Sequence, residues 1–354
     1  MKVGVLTFHK CVNYGSYWQA RCLVEWLESR GHEVELMDHD CPCVRQAEAR
    51  CALQPKLPLR TPQHELKGYA LKTRRFVEAV KRLPLSRQFP LHEPGSARSY
   101  DAIIVGSDEV WNFRHPWYGS KPIFFGDGLM ARRLISYAAS FGNHGARDGI
   151  SPLFARKLAR FSALSVRDRN SFDLVRSGTR RDPELVVDPC LLFPAPAQAR
   201  ARGGGGGKYA LVYGHGFPTW LKSAARRWSE RAGVRLLSVG YSNDFADEQR
   251  ISEGPTEFAE LVAGASAVLT NFFHGCVFAL LNGKPWATVP SDYRSIKIPD
   301  LASMIGANRR IVDENTDDQR FAELLGTPVS KSVLSRIGEL QAISETYLDE
   351  ALAT

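Results

Sequence analysis

Four short segments carry residue types that can act on an anionic substrate. Thr270-Asn271-Phe272-Phe273-His274-Gly275 is the most specific of them. It places a histidine in the first turn of an expected helix that follows an apolar run, with Gly275 beside it for close backbone approach. A helix N-terminus favours anions, and an imidazole there can exchange protons near neutral pH. Ser165-Val166-Arg167-Asp168-Arg169 ends another apolar run. An arginine at a strand's carboxyl end can clamp a carboxylate or phosphate through two N–H groups. The plain alternative is an ion pair of Arg167 or Arg169 with Asp168. Gly106-Ser107-Asp108-Glu109-Val110-Trp111-Asn112 combines a hydroxyl, carboxylates and an indole, a set suited to a polyol, with Asp108 as candidate base. There the alternative is a helix cap by Ser107 or Asp108. In His9-Lys10-Cys11-Val12-Asn13-Tyr14-Gly15, Gly15 either lets backbone N–H groups reach an anion or makes a tight turn.

The elements that must position these loops follow an alternating rhythm. KVGVLTF reads as a buried parallel strand, and Trp18, Cys22, Leu23, Trp26 and Leu27 mark one face of a helix over 16–30. Gly31 stands where that helix should stop, and HEVELMD reads as the next strand. Residues 39–60 read as irregular, and 66–83 as a helix. Strands are expected at 101–106, 134–140, up to Arg167 and at 184–189, with a helical segment near 151–160. FPAPAQARARGGGGGK, from Phe193 to Lys208, cannot pack a core and reads as a hinge. Beyond it come strands at KYALVYG, VRLLSVG, SAVLT and PWATVP. Helices are expected at WLKSAARRWSERAG, 256–264, HGCVFALLNG, after Tyr293 and at 331–351. This spacing predicts an α/β protein of two Rossmann-like domains facing a cleft (GT-B-like): residues 1–195, a Pro/Ala/Gly-rich linker at 196–207, and 208–354 with a terminal helix. The cleft is expected at the carboxyl ends of both sheets. No GxGxxG or P-loop pattern stands at a strand-to-helix turn.

Composition narrows the partners. The chain has 354 residues, enough for two domains, with 44% apolar and 24% charged residues, which is ordinary for a globular protein. Its net charge of +8 favours anionic partners. No nucleic-acid motif accompanies that charge, so nucleic acid is not an expected partner. Between 67 and 87 stand seven Lys or Arg and one acid, Glu78. This face suits either solvent or an anionic membrane surface. No run approaches the length of a membrane span, and MKVGVLTFHK does not read as a secretory signal. The expected location is cytoplasmic, with the basic helix as the one candidate membrane contact. Cys41, Cys43 and Cys51 cluster, but Cys-Pro-Cys is poor zinc spacing, so no metal site is expected and reduced thiols are the simpler reading.

Taken together and in register, the segments resemble the polysaccharide pyruvyl transferase family. The likeness is carried by GVLTFHKCVNYGSYWQA, DAIIVGSDEVWN, ISYAASFG, LSVRDRNSFDLV, VVDPCLLF and VLTNFFHGCVFALLNGKPW, and it covers most of the chain. It implies a GT-B-like fold and transfer of the pyruvyl unit of phosphoenolpyruvate to a sugar, often as a ketal across two hydroxyls, with release of phosphate. The implied acceptor is a polysaccharide repeat or lipid-linked precursor, and no cofactor beyond the donor is implied. The family's functional arginine and histidine fall on Arg167 and His274. With Asp108 these are the expected catalytic residues. Asn13, Tyr14, Gly15, Ser107, Asn271, Phe273, Gly275 and Lys297 are the expected substrate contacts. Many relatives carry Asp-Ser or Asp-Arg-Leu before the histidine, whereas here Asn271-Phe272-Phe273 precedes it. Two other readings stay open. One is a glycosyltransferase using a nucleotide sugar, with Glu253 and Glu257 in a plausible loop. The other is a glycan-binding relative without turnover.

Overall fold

The computed structural model describes residues 1–192, 208–291, 293 and 295–353. The glycine-run hinge expected at 196–207 lies outside them. The chain divides into two compact units. One comprises Met1–Glu48, Val80–Phe193 and Ile337–Thr354, and the other Ala49–Ala79 and Pro194–Arg336. This departs from a division at 195/208 in two places, each with a visible cause. Helix Gln63–Val80 packs into the second unit, where Lys72 donates to the Gly240 carbonyl (3.0 Å), the Tyr69 hydroxyl accepts from the Ser242 N–H (3.1 Å) and Arg75 pairs with Glu253 (2.9 Å). Helix Lys331–Ala353 ends in the first unit, where the Ser344 hydroxyl accepts from the Val187 N–H (3.0 Å) and Tyr347 donates to the Ser136 carbonyl (2.7 Å). The basic stretch is therefore not wholly a free face, since Lys72 is buried and Arg75 is paired.

The first unit's sheet has four parallel strands: β1 (Lys2–Leu6), β2 (Glu33–Leu36), β3 (Tyr100–Val105) and β4 (Ala131–Ser136), in the order β2-β1-β3-β4. Bridges from Ile135 to Ala163 and from Ala139 to Val166 lead on to the parallel pair Ser165–Val166 and Glu184–Leu185. Val3, Val5, Ile103, Ile104 and Ile135 are fully buried, as a parallel sheet covered on both faces requires. Helix Tyr14–Ser29 follows β1 with Asn13 at its N-cap, and Gly31 at φ 82° turns the chain after its end.

The second sheet has five parallel strands: β5 (Tyr209–Tyr213), β6 (Arg235–Val239), β7 (Glu248–Arg250), β8 (Ala267–Thr270) and β9 (Trp286–Thr288), in the order β7-β6-β5-β8-β9. Each sheet reverses direction once. In the first the chain moves outward from β1 to β2 and then returns to β3 on the other side. In the second the reversal lies between β5 and β8. Ligands in open α/β sheets settle at such points, where neighbouring loops leave in opposite directions.

Several elements were not expected. Residues 39–60 are not irregular: a short strand, His39–Asp40, leads into helix Pro42–Leu53. Only Val44 of that helix is buried, so it has no apolar stripe to read. Helix Arg169–Thr179 did have a signal, namely Asp168 three residues before Ser171, whose N–H it accepts at 2.7 Å. Strand β7 and helix Asp318–Gly326 were not expected either. Among the described residues no helix is long and apolar enough to cross a membrane.

Candidate functional site

At the first unit's reversal the loops after β1 and β3 lie side by side. Asn13 Oδ1 accepts from the Gly15 and Ser16 N–H groups at 2.8 and 3.3 Å, which fixes the start of helix Tyr14–Ser29. Tyr14 and Gly15 are buried in that turn. The second loop begins with a glycine because nothing else fits: Gly106 has φ 119°, and a Cβ there would meet the Tyr137 carbonyl oxygen at 2.2 Å. Asp108 follows at φ 72°. Ser107 faces inward and is fully buried. Its hydroxyl donates to Gln19 Oε1 (2.6 Å) and its carbonyl accepts from Thr7 Oγ1 (2.9 Å). Trp111, a candidate sugar platform, is also core, with its indole N–H on the Phe124 carbonyl at 2.7 Å. The loop thus presents neither the hydroxyl nor the indole that a polyol would need.

Arg167 lies between two carboxylates. Nη2 donates to Asp108 Oδ1 at 3.1 Å and Nη1 to Asp188 Oδ2 at 2.8 Å, with the arginine side chain 2% exposed. Asp108 also accepts from Ser16 Oγ (2.8 Å) and from the Glu109 N–H (3.0 Å), and Asp188 accepts from the Cys190 N–H (3.1 Å). Burial alone would pull the guanidinium down, but Asp108 and Asp188 more than offset it and hold it firmly charged. This corrects the expectation of an anion clamp. Both of its terminal nitrogens already donate to carboxylates inside the fold, so the side chain is held as part of the packing. It equally changes the picture of Asp108 as a base, because both of its carboxylate oxygens already accept hydrogen bonds within the fold. The alternative pairing with Asp168 is replaced too: Asp168 accepts from Ser140 Oγ (2.6 Å) and caps its helix, while Arg169 pairs with Asp173 (3.3 Å). Asp188, Gln19 and Ser16 were missed. Asp188 lies in the segment VVDPCLLF, but its distance in sequence from Arg167 gave no cue that they meet.

A second buried group stands beside β1. His9 lies between the Thr7 carbonyl (Nδ1, 3.2 Å) and Asp38 (Nε2, 3.2 Å), and Lys10 pairs with Asp38. Burial would raise the Asp38 carboxyl, but hydrogen bonds from His9 and Lys10 hold it down at about 2. Burial and then the charge of His9 push His39 down to about 3.

In the second unit the loops after β5 and β8 meet. Gly214 has φ 146°, and a Cβ there would come within 2.0 Å of Asn271 Oδ1. Asn271 Nδ2 donates to the His215 carbonyl at 2.7 Å, tying the two loops together. Thr270 Oγ1 donates to the Tyr213 carbonyl (2.6 Å) and accepts from the Phe272 N–H (3.0 Å). Phe272 packs against Tyr213, Tyr241 and His215, with ring centroids 4.9, 5.2 and 5.4 Å away. Helix Phe273–Leu281 starts here, with Phe272 at the cap position making no side-chain cap hydrogen bond. Gly275 lets that helix sit on Thr270, since a Cβ would meet Thr270 Oγ1 at 2.1 Å. His274, 8% exposed, is the second residue of this helix, with the Phe273 ring edge-on at 5.1 Å. Lys297 heads the neighbouring helix Lys297–Met304, its ammonium 5.5 Å from the Tyr293 ring. The structure therefore places Asn271, Phe273, His274 and Gly275 in one turn, as the sequence suggested. Glu253, considered for a nucleotide reader, is held by Arg75 (2.9 Å) and Arg250 (3.5 Å).

The profile of the polysaccharide pyruvyl transferase family matches residues 13–293. The chain belongs to that family. All of the expected site residues except Lys297 fall inside the matched region of this pyruvyl transferase family member. A comparison with curated protein sequences finds no match. Among solved structures, the chain is similar to a UDP-GlcNAc 2-epimerase from Neisseria meningitidis bound to UDP-GlcNAc. Identity is 11%, 99% of this chain and 100% of that chain are covered, and the TM-score is 0.53. It is also similar to a UDP-N-acetylglucosamine 2-epimerase at 14% identity, 99% and 95% coverage and TM-score 0.54. A UDP-GlcNAc 2-epimerase from Methanocaldococcus jannaschii gives 12% identity, 94% and 93% coverage and TM-score 0.51. Such likeness establishes a GT-B-like fold and no chemistry.

Proposed function

We propose that this protein transfers the pyruvyl group of phosphoenolpyruvate to hydroxyls of a sugar in a polysaccharide or lipid-linked glycan, releasing phosphate and closing a ketal. The observation that carries the reading is His274 in the first turn of helix Phe273–Leu281, at the reversal of the second sheet, in a chain of this family. The donor brings a carboxylate and a phosphate. The helix N-terminus attracts one of these groups, and Lys297 is the candidate cation for the other.

In this mechanism the His274 imidazolium protonates the methylene carbon, leaving C2 with oxocarbenium character. A sugar hydroxyl adds to C2 and gives up its proton, the C2–O bond to phosphate breaks, and a second hydroxyl closes the ketal. One hydroxyl proton ends in the new methyl group and the other on phosphate, so atoms and charge balance. A positioned acid of this kind contributes about 10²- to 10⁴-fold in rate. Arg167 acts through Asp108 and Asp188 as a positioning residue. No metal or further cofactor enters these steps.

The test incubates the protein with phosphoenolpyruvate and a panel of soluble and lipid-linked glycosides, following phosphate release and the product mass. An acid-labile pyruvylated glycan formed in step with phosphate is expected, and its loss in a folded His274→Ala variant. Undiminished turnover in that variant removes the role of His274. Protection from heat by a nucleotide sugar, with none from phosphoenolpyruvate, would move the assignment to glycosyl transfer.

A further inference from the structure

Outside this chemistry, a pair of thiols stands at the head of helix Pro42–Leu53. Pro42 is the first helical residue, a position its fixed φ suits. Cys41 is thereby placed at the cap and Cys43 in the first turn. The two sulfurs are 2.8 Å apart. Cys41 is half-buried and Cys43 exposed. The Cys41 sulfur also faces the backbone N–H groups of Val44 and Cys43. It lines a surface pocket of about 320 Å³ together with His92, Lys121 and Asp127. The hydrogen bond from Cys43 is the main cause that draws the Cys41 thiol below its ordinary value. Slight burial opposes it, while the backbone N–H groups and the Lys121 ammonium add to it. The Cys43 thiol is pushed the other way by Cys41. A thiol favoured as thiolate beside a second thiol in reach of it is the arrangement that thiol–disulfide exchange requires.

We propose that Cys41 and Cys43 are a redox-active dithiol that closes reversibly to a disulfide. The Cys41 thiolate attacks one sulfur of a low-molecular-weight disulfide RSSR; a Cys41–SR bond forms and RS⁻ leaves. Cys43 loses its proton and attacks the Cys41 sulfur, forming the Cys41–Cys43 bond and expelling the second RS⁻. The protein gives up two electrons and two protons, and RSSR becomes two RSH. Closure weakens the cap that the Cys41 sulfur gives the helix, because a disulfide sulfur is a poor acceptor for the Val44 and Cys43 N–H groups. The same helix carries Glu48, whose Oε1 accepts from Cys11 Sγ (2.9 Å) and Trp117 Nε1 (2.8 Å). Cys11 belongs to the loop between β1 and helix Tyr14–Ser29, so oxidation at the helix head loosens a loop at the first sheet's reversal.

The full chain, equilibrated with excess glutathione disulfide, quenched in acid, alkylated with iodoacetamide and cut with trypsin, tests this. The peptide Gly31–Arg45 contains Cys41 and Cys43 and no other cysteine. It should be unlabelled and lighter by two hydrogen atoms, and should take two labels after dithiothreitol. Two labels without reduction, or glutathione retained on either cysteine as the end state, overturns the proposal. Cys43→Ser should stop at the glutathione adduct on Cys41, and Cys41→Ser should react about tenfold more slowly than wild type. Coupling to the loop is read by timed alkylation of Cys11 in the folded protein. It should be about threefold faster after oxidation of the wild type and unchanged in Cys43→Ser. Equal rates in oxidised and reduced wild type overturn the coupling.

Discussion

The two sheet reversals share one topology and hold opposite chemistries. The first is filled by ion pairs: Asp108, Arg167 and Asp188 in one buried chain of contacts, and half-buried Lys10 with Asp38 in another, where His9 is hydrogen-bonded to Asp38. The second holds aromatic rings, close-approach glycines and a helix N-terminus with His274 on its first turn. A buried pair of opposite charges gains little net stability but is costly to break. The first reversal is thus a lock that fixes its loops. The second sets the His274 ring at the start of a helix, the place where the proposed reaction needs an acid. Topology sets where a ligand can go, and the local residues decide which end does chemistry.

This contrast can be broken most forcefully at Asp188. Asp188→Ala removes the carboxylate that accepts from Arg167 Nη1 and from the Cys190 N–H and should cost about 1–3 kcal/mol, read as a lower urea midpoint. Replacing Arg167 by Met together with Asp108→Asn and Asp188→Asn should recover much of that loss. If Asp188→Ala alone is as stable as the wild type, the first reversal is no lock. On the other side, His274→Ala should cut pyruvyl transfer about 10²- to 10⁴-fold with the urea midpoint unchanged. A fall in stability with full turnover would reverse the contrast.

Acid should act on the first unit before the second. His39 is buried neutral with its pKa depressed from the usual imidazole value to about 3, so the unfolded chain binds a proton that the native one does not. Stability therefore falls as pH drops from about 6.5 toward 3, by about 2–3 kcal/mol between pH 6.5 and 4.5. Asp38, held at about 2, adds to the loss only below about pH 4. Urea titrations at both pH values should show the slope in wild type and a flatter one in His39→Gln. The smallest effect is expected at Lys297. Lys297→Gln should raise KM for phosphoenolpyruvate about tenfold and leave kcat nearly unchanged, as loss of one charged contact implies.

Much of the strand and helix order was legible in the sequence. Continuous apolar runs such as KVGVLTF and DAIIVG have few alternatives to a buried parallel strand. The turn from Asn271 to Gly275 was legible for a local reason, since strand end, glycine and helix start follow one another within a few residues. Helix Pro42–Leu53 was not, because a helix that buries only Val44 writes no period into the chain. The fate of Arg167 was also hidden, because its partners lie 59 and 21 residues away.

What the sequence determined by itself was the family, the α/β rhythm and the residue set at the second reversal, all of which depend on neighbours along the chain. Tertiary structure alone decided that residues 49–79 serve the second unit and 337–354 the first. It also turned Ser107 and Trp111 inward and closed Arg167 between two carboxylates. The reason is physical: periodicity reports which face of an element is apolar, whereas a buried polar side chain takes whichever partner the packed chain brings within hydrogen-bonding distance.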